Sequence, residues 1–98
     1  MSVVVLTRDL MDGSRFRAAI PDAVVVRDID APALAEATLI LLDLALGADV
    51  AAVVAIGPPV VAYGAHVDTD ALDDAVAAGC ADAVPRSRVF RRAGELLA

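Results

Sequence analysis

One carboxylate, Asp43, closes the apolar run TLILLD. A charge beside a buried strand costs several kcal/mol unless it is hydrated, paired or holding a cation, so Asp43 marks either a strand end or a site. Few other residues have chemistry to offer. His66 could relay a proton or a phosphoryl group, although a lone histidine is more commonly a surface residue. Cys80 could be redox-active, although a small half-buried residue is all its place after Gly79 requires. The glycines of GPP and GAH lack the Gly-x-Gly-x-x-Gly spacing and strand-to-helix context of a dinucleotide site. Asp12, Asp22, Asp28, Asp30 and Asp49 suit helix caps and turns.

The chain that must position these groups has 98 residues, the size of one domain with its own core. Apolar residues make up 59% of it against a usual level of about 45–50%. Only three residues are aromatic, so small aliphatics must build the core. All eight basic residues are arginine, and with fourteen acids the net charge is −6. That balance disfavours binding to a nucleic-acid backbone. A single cysteine forms no internal disulfide, and the start of the chain has no signal-peptide pattern, so a reducing cytoplasm is the expected location.

Residues 37–65 are apolar enough to raise the question of a membrane span. Asp43, Asp49 and the breaker Gly57-Pro58-Pro59 interrupt them, leaving no run near the roughly 18–20 residues that a spanning helix needs. Short apolar runs bounded by turn residues fit strands buried on both faces.

The chain then alternates. SVVVLT, DAVVVRD, TLILLD, PVVAYG and ADAV are five expected strands. The first helix follows a cap at Asp12 or Ser14, with Phe16, Ala19 and Ile20 on one face and Pro21 as its stop. Asp30 caps a short second helix over APALAEA, where Pro32 falls in the first turn. Asp49 caps a third over VAAVVAI. The fourth, DTDALDDAVAAG, opens with acids that the helix dipole favours and stops at Gly79. Ser87 caps the fifth, whose Val89, Phe90, Ala93, Leu96 and Leu97 form one apolar stripe.

Five strands alternating with five helices imply a single α/β domain over residues 1–98, a flavodoxin-like three-layer sandwich. Its five-stranded parallel sheet should run in the order 2-1-3-4-5. Ligand sites in such sheets lie outside the carboxyl ends of the strands. Asp43, closing the third strand next to the first, should therefore face that crevice.

These residues resemble the receiver domains of two-component response regulators. LILLDLAL is similar to the family's third strand with its phosphoacceptor aspartate, here Asp43. PVVAYGA is similar to the fourth strand, and DALDDAVAAGCADAV to the fourth helix running into the fifth strand. The resemblance implies a signalling module in bacteria whose aspartate, with Mg²⁺ bound, takes a phosphoryl group from a histidine kinase.

The functional positions depart from that pattern. The family's acidic pair after strand one reads Thr7-Arg8 here, with Asp9 one place later. Its Ser or Thr after strand four falls on Gly64, its lysine after strand five on Arg86, and its switching aromatic on Ala83. Asp9 and Asp43 are the two carboxylates left for Mg²⁺, which usually takes one or two from a protein. Arg8 competes for both, because unit charges 4 Å apart at an effective dielectric of ~20 interact by roughly 4 kcal/mol before desolvation. Arg8 or Arg86 is therefore expected to pair with Asp43 in place of a cation. The expectation is a non-enzymatic pseudo-receiver that needs neither phosphorylation nor a cofactor. The alternatives are a divergent receiver phosphorylated on Asp43 with Mg²⁺, and an unrelated small flavodoxin-like domain with an enzymatic role.

Half of all the arginines, Arg86, Arg88, Arg91 and Arg92, lie in the last thirteen positions. Asp70, Asp73, Asp74 and Asp82 lie just upstream. A solvated charged face is one reading. The other is a protein interface, because the resemblance implies association through the fourth helix, fifth strand and fifth helix. Asp73 and Asp74 facing Arg88, Arg91 and Arg92 across a two-fold axis would give a weak, salt-sensitive homodimer.

Overall fold

The β-branched runs form a sheet, and their side chains divide the molecule into layers. The computed structural model describes residues 2–92. Its strands are β1 (Val3–Leu6), β2 (Val24–Val26), β3 (Leu39–Asp43), β4 (Val60–Gly64) and β5 (Asp82–Pro85). Its helices are α1 (Leu10–Ala19), α2 (Val50–Val54), α3 (Thr69–Ala77) and α4 (Arg86–Arg92). The strands pair in parallel in the order β2-β1-β3-β4-β5, as the alternation of elements predicts.

Alternate residues of one strand point to opposite faces. Val3 and Val5 of β1 join Phe16 of α1, Ile20 just after that helix and Val89 of α4 in one core cluster. Val4 and Leu6 join Leu34, Val53 of α2, Ala75 of α3 and Cys80 in the other. Helices α1 and α4 thus cover one face, and α2 and α3 the other. Val4, Val5, Leu6, Ile40 and Leu41 are wholly buried, each contributing about 1.5–3 kcal/mol of hydrophobic stabilisation. The three aromatic rings all lie in the first cluster, with centroids 5.4 Å apart for Phe16–Tyr63 and 4.6 Å for Phe16–Phe90.

Several local expectations change. The cap of α1 is Asp9, whose Oδ1 accepts the N–H groups of Met11 and Asp12 at 2.9 and 3.0 Å, so the helix starts before the expected cap at Asp12 or Ser14. APALAEA forms only a 3₁₀ turn over Pro32–Leu34, since seven residues with one buried anchor, Leu34, do not offset the cost of nucleating a helix. The predicted second helix is therefore absent, and predicted helices three, four and five correspond to α2, α3 and α4. Pro85 closes β5 and α4 starts at once, which places Ser87 in the first turn instead of at the cap. Asp49 does cap α2. Ala93, Leu96 and Leu97 lie outside the described residues.

Gly79 ends α3 as expected, at a φ of +113°, where a Cβ would lie 2.9 Å from Val54 Cγ1. The site therefore demands glycine twice over, for its backbone angle and for the close approach of α2. Among the described residues, no helix is long and apolar enough to cross a membrane.

Candidate functional site

Asp43 ends β3 at the carboxyl edge of the sheet, next to the end of β1. It is only 4% exposed. Its Oδ2 accepts the Thr7 hydroxyl at 2.7 Å, and its Oδ1 accepts the Ala45 N–H at 2.9 Å. The second bond caps the 3₁₀ turn Leu44–Leu46, which closes at Gly47 in the left-handed region. A buried carboxylate is tolerated when donors satisfy its oxygens, and here both have one. The hydroxyl of Thr7 also accepts the Asp9 N–H at 3.1 Å, so one side chain ties β1, β3 and the start of α1 together.

The expected ion pair at Asp43 does not form. Arg8 turns toward the neighbouring strand's end, where it donates to the Arg27 carbonyl at 3.2 Å and to Asp28 at 2.7 Å. Arg86 pairs with Asp12 and lies 3.6 Å from Asp9. The reason is local: donors from Thr7 and Ala45 already solvate Asp43, whereas Asp12 is buried with no backbone N–H to neutralise it. Arginine goes to the carboxylate that lacks backbone donors.

Asp12 was expected at a cap or turn, yet its side chain is wholly buried under α1. Burial raises its pKa above the usual carboxylate value, while Arg86 opposes the rise. The Tyr63 hydroxyl donates to its Oδ2 at 3.4 Å. Burial also raises the Tyr63 pKa, with the Asp43 and Asp12 carboxylates adding to the effect. Asp9 shifts the other way: the Asp12 N–H, then the Met11 N–H and Arg86, stabilise its charge and lower its pKa against a smaller opposing effect of burial. Thr7, Asp9, Asp12, Asp43, Tyr63 and Arg86 therefore form one polar network, held between an alkyl sheet and an aromatic cluster.

The remaining expected positions line the same end of the fold. Gly64 ends β4, and a Cβ there would meet Leu44 Cδ1 at 3.3 Å, so even a serine would need that side chain to yield. Ala83 packs in the aliphatic layer. His66 is exposed in the connection from β4 to α3. Cys80 is 5% exposed, and burial raises its thiol pKa, which disfavours the reactive thiolate.

A divalent cation has a poor donor set here. Both oxygens of Asp43 already accept hydrogen bonds, Asp9 spends Oδ1 on the helix cap and turns Oδ2 toward Arg86, and Thr7 replaces a carboxylate with a hydroxyl. Mg²⁺ requires near-octahedral oxygen ligands. The Arg86 guanidinium occupies the ground between Asp9 and Asp12, so these residues do not fit the ion. Among the described residues, no three His, Cys, Asp or Glu side chains gather as a metal-holding group.

The residues expected at an interface divide between two sides of α4. Asp73 and Asp74 are exposed on α3, and Arg88 is exposed on α4. Arg92 reaches Asp82 of β5 at 4.0 Å. Arg91 instead lines a cavity with Arg15 of α1. Sequence reasoning missed Asp12, Tyr63 and Arg15. The available signal was Asp12 one turn before Phe16 on an apolar helix face, a spacing that points an acid into the core.

Solved structures share this arrangement. NtrX from Brucella abortus, solved in complex with ATP, matches 98% of this chain and 25% of its own at 18% identity, with a TM-score of 0.78. A response regulator from Thermotoga maritima matches 98% of this chain and 92% of its own at 16% identity, with a TM-score of 0.67. The CheY-like protein TadZ from Pseudomonas aeruginosa matches 96% and 93% at 21% identity, with a TM-score of 0.65. This chain thus spans about a quarter of the length of NtrX and nearly all of the other two. No protein-family model and no curated protein matches it. The chain has the fold of response-regulator receiver domains.

Proposed function

We propose that this domain is a pseudo-receiver: a non-enzymatic signalling module of the bacterial cytoplasm that engages protein partners without being phosphorylated. One observation carries the reading. Asp43 has both oxygens hydrogen-bonded at 4% exposure, and the nearby cation, Arg86, is committed to Asp12 and Asp9. Phosphoryl transfer is catalysed almost wholly by positioning and by charge that stabilises the transferring oxygens. A nucleophile already solvated by the protein, with no free cation beside it among the described residues, lacks both.

The partner surface proposed is the face of α3, β5 and α4, where Asp73 and Asp74 present one sign and Arg88 and Arg92 the other. A symmetric dimer needs such a self-complementary patch. Exposed ion pairs contribute only about 0–1 kcal/mol each, so charge would set register in a weak complex.

Beryllofluoride with Mg²⁺ tests the first part. The expected result is no change in Tyr63 fluorescence or thermal midpoint, and no adduct by intact mass after acetyl phosphate. An adduct that disappears in Asp43→Asn would instead establish a divergent phosphoaccepting receiver. Sedimentation tests the second part: association at low salt should weaken in Arg88→Glu and return when Asp73→Arg is added. A monomer at high concentration and low salt would refute the dimer.

A further inference from the structure

A cavity of about 420 Å³ opens between α1 and α4, lined by Arg15, Arg86, Ser87, Phe90 and Arg91. It holds three of the eight cations of a chain whose net charge is −6. The charge of Arg86 is committed to Asp12 and Asp9. Arg15 and Arg91 form no ion pair among the described residues. Two guanidiniums without an ion pair among the described residues, on one concave surface, repel each other, and an anion between them would remove that repulsion.

Arg15 is also held in place. Its guanidinium carbon lies 3.7 Å from the centroid of the Phe90 ring, and that ring packs against Phe16 at 4.6 Å. Stacking fixes the plane of the fork and leaves its N–H edge to a ligand, so less entropy is lost on binding than with a free side chain. Planar forks match the oxygens of a phosphate in pairs, and the exposed Ser87 can add a hydroxyl donor. The volume lies in the range of roughly 300–1,000 Å³ usual for small-molecule sites, well beyond a bare ion.

We infer that this cavity binds a phosphate-bearing small molecule, gripped by Arg15 and Arg91 with Ser87 and bounded by the Arg86 ion pair. The site lies on the α1 side of α4. It is independent of Asp43 and of the proposed dimer face.

Titration of the full chain with pyrophosphate, followed by arginine side-chain NMR at constant ionic strength, tests this. Saturable shifts at Arg15 and Arg91 are expected, with malonate binding more weakly. Arg91→Gln, an exposed substitution outside the core, should weaken pyrophosphate by about tenfold, the size of one lost charge-assisted bond. Arg15→Lys, which keeps the charge and loses the fork, should also weaken it. Arg17→Gln, on the same helix but outside the cavity, should bind as the parent does. Equal affinity in Arg91→Gln and the parent, equal binding of malonate, or an equal loss in Arg17→Gln would overturn the assignment in favour of general charge attraction.

Discussion

The Thr7 hydroxyl donates to Asp43 Oδ2 at 2.7 Å, joining the ends of two adjacent central strands by a neutral group where the receiver pattern has an acid. This bond lets Asp43 stay buried without a counter-ion. Thr7→Val keeps the shape and removes the donor. It should destabilise the fold by about 1–3 kcal/mol, the cost of leaving a buried acceptor short of a partner. Thr7→Ser should recover most of the loss, and urea denaturation measures both.

Arg86→Ala should destabilise because it leaves Asp12 buried without its partner. A fully buried pair would lose about 3–5 kcal/mol, but Arg86 is 40% exposed, so water screens the pair and the expected loss is nearer ~1–2 kcal/mol. Adding Asp12→Asn should restore part of the stability, since it removes the stranded charge. Chemical denaturation of the four members of this cycle gives the coupling.

The pH dependence has two parts with opposite signs. The folded-state pKa of Asp12 is raised above 3.8, so its ionisation penalises folding at neutral pH and the penalty lifts as pH falls through the folded value toward 3.8. The pKa of Asp9 is lowered, so its contribution is present above 3.8 and is lost as pH falls through its lower folded value. Arg86→Ala should therefore approach the parent in stability as pH falls through the raised folded pKa of Asp12, where Asp12 takes up a proton. A gap that widens from pH 7 to pH 4 would contradict this.

Tyr63 is the sole tyrosine, so its ionisation can be followed alone by ultraviolet absorbance. Its folded pKa is raised above 10.0, which means the unfolded chain releases that proton first. Stability contributed by the neutral phenol is present below pH 10 and falls as pH rises beyond it, by ~1.4 kcal/mol per pH unit for one group. Tyrosinate absorbance should appear together with loss of structure. An ordinary titration near pH 10 in the folded protein would show that the ring is accessible.

Gly79→Ala should cost about 1–3 kcal/mol, combining strain at φ +113° with a Cβ 2.9 Å from Val54 Cγ1. Truncating Val54 to alanine in the same chain should relieve the contact but leave the backbone strain. Thermal unfolding of the two variants separates the terms.

The parallel sheet was readable from the sequence because its central strands, β1 and β3, are short apolar runs buried on both faces, and right-handed crossovers then leave few topologies. Asp43 was readable as an edge residue for the same reason. Its partner was not. Formal charge pointed to Arg8 or Arg86, but the contest was decided by a hydroxyl and a backbone N–H, which carry no charge to notice in a sequence. Asp12 was misread because an acid near a helix start usually caps it, and only the placement of Asp9 one turn earlier turns Asp12 inward. The second helix failed because APALAEA satisfies a helical pattern for too few residues to form one.

The division of the core gives each face its own natural reporter. Every aromatic ring belongs to the layer under α1 and α4, whereas the layer under α2 and α3 is aliphatic and carries Cys80. Near-ultraviolet signals are therefore blind to loosening on the α2 and α3 side. Thiol-exchange kinetics at Cys80 can be compared with tyrosine fluorescence in unlabelled protein, so the two sides can be watched opening separately.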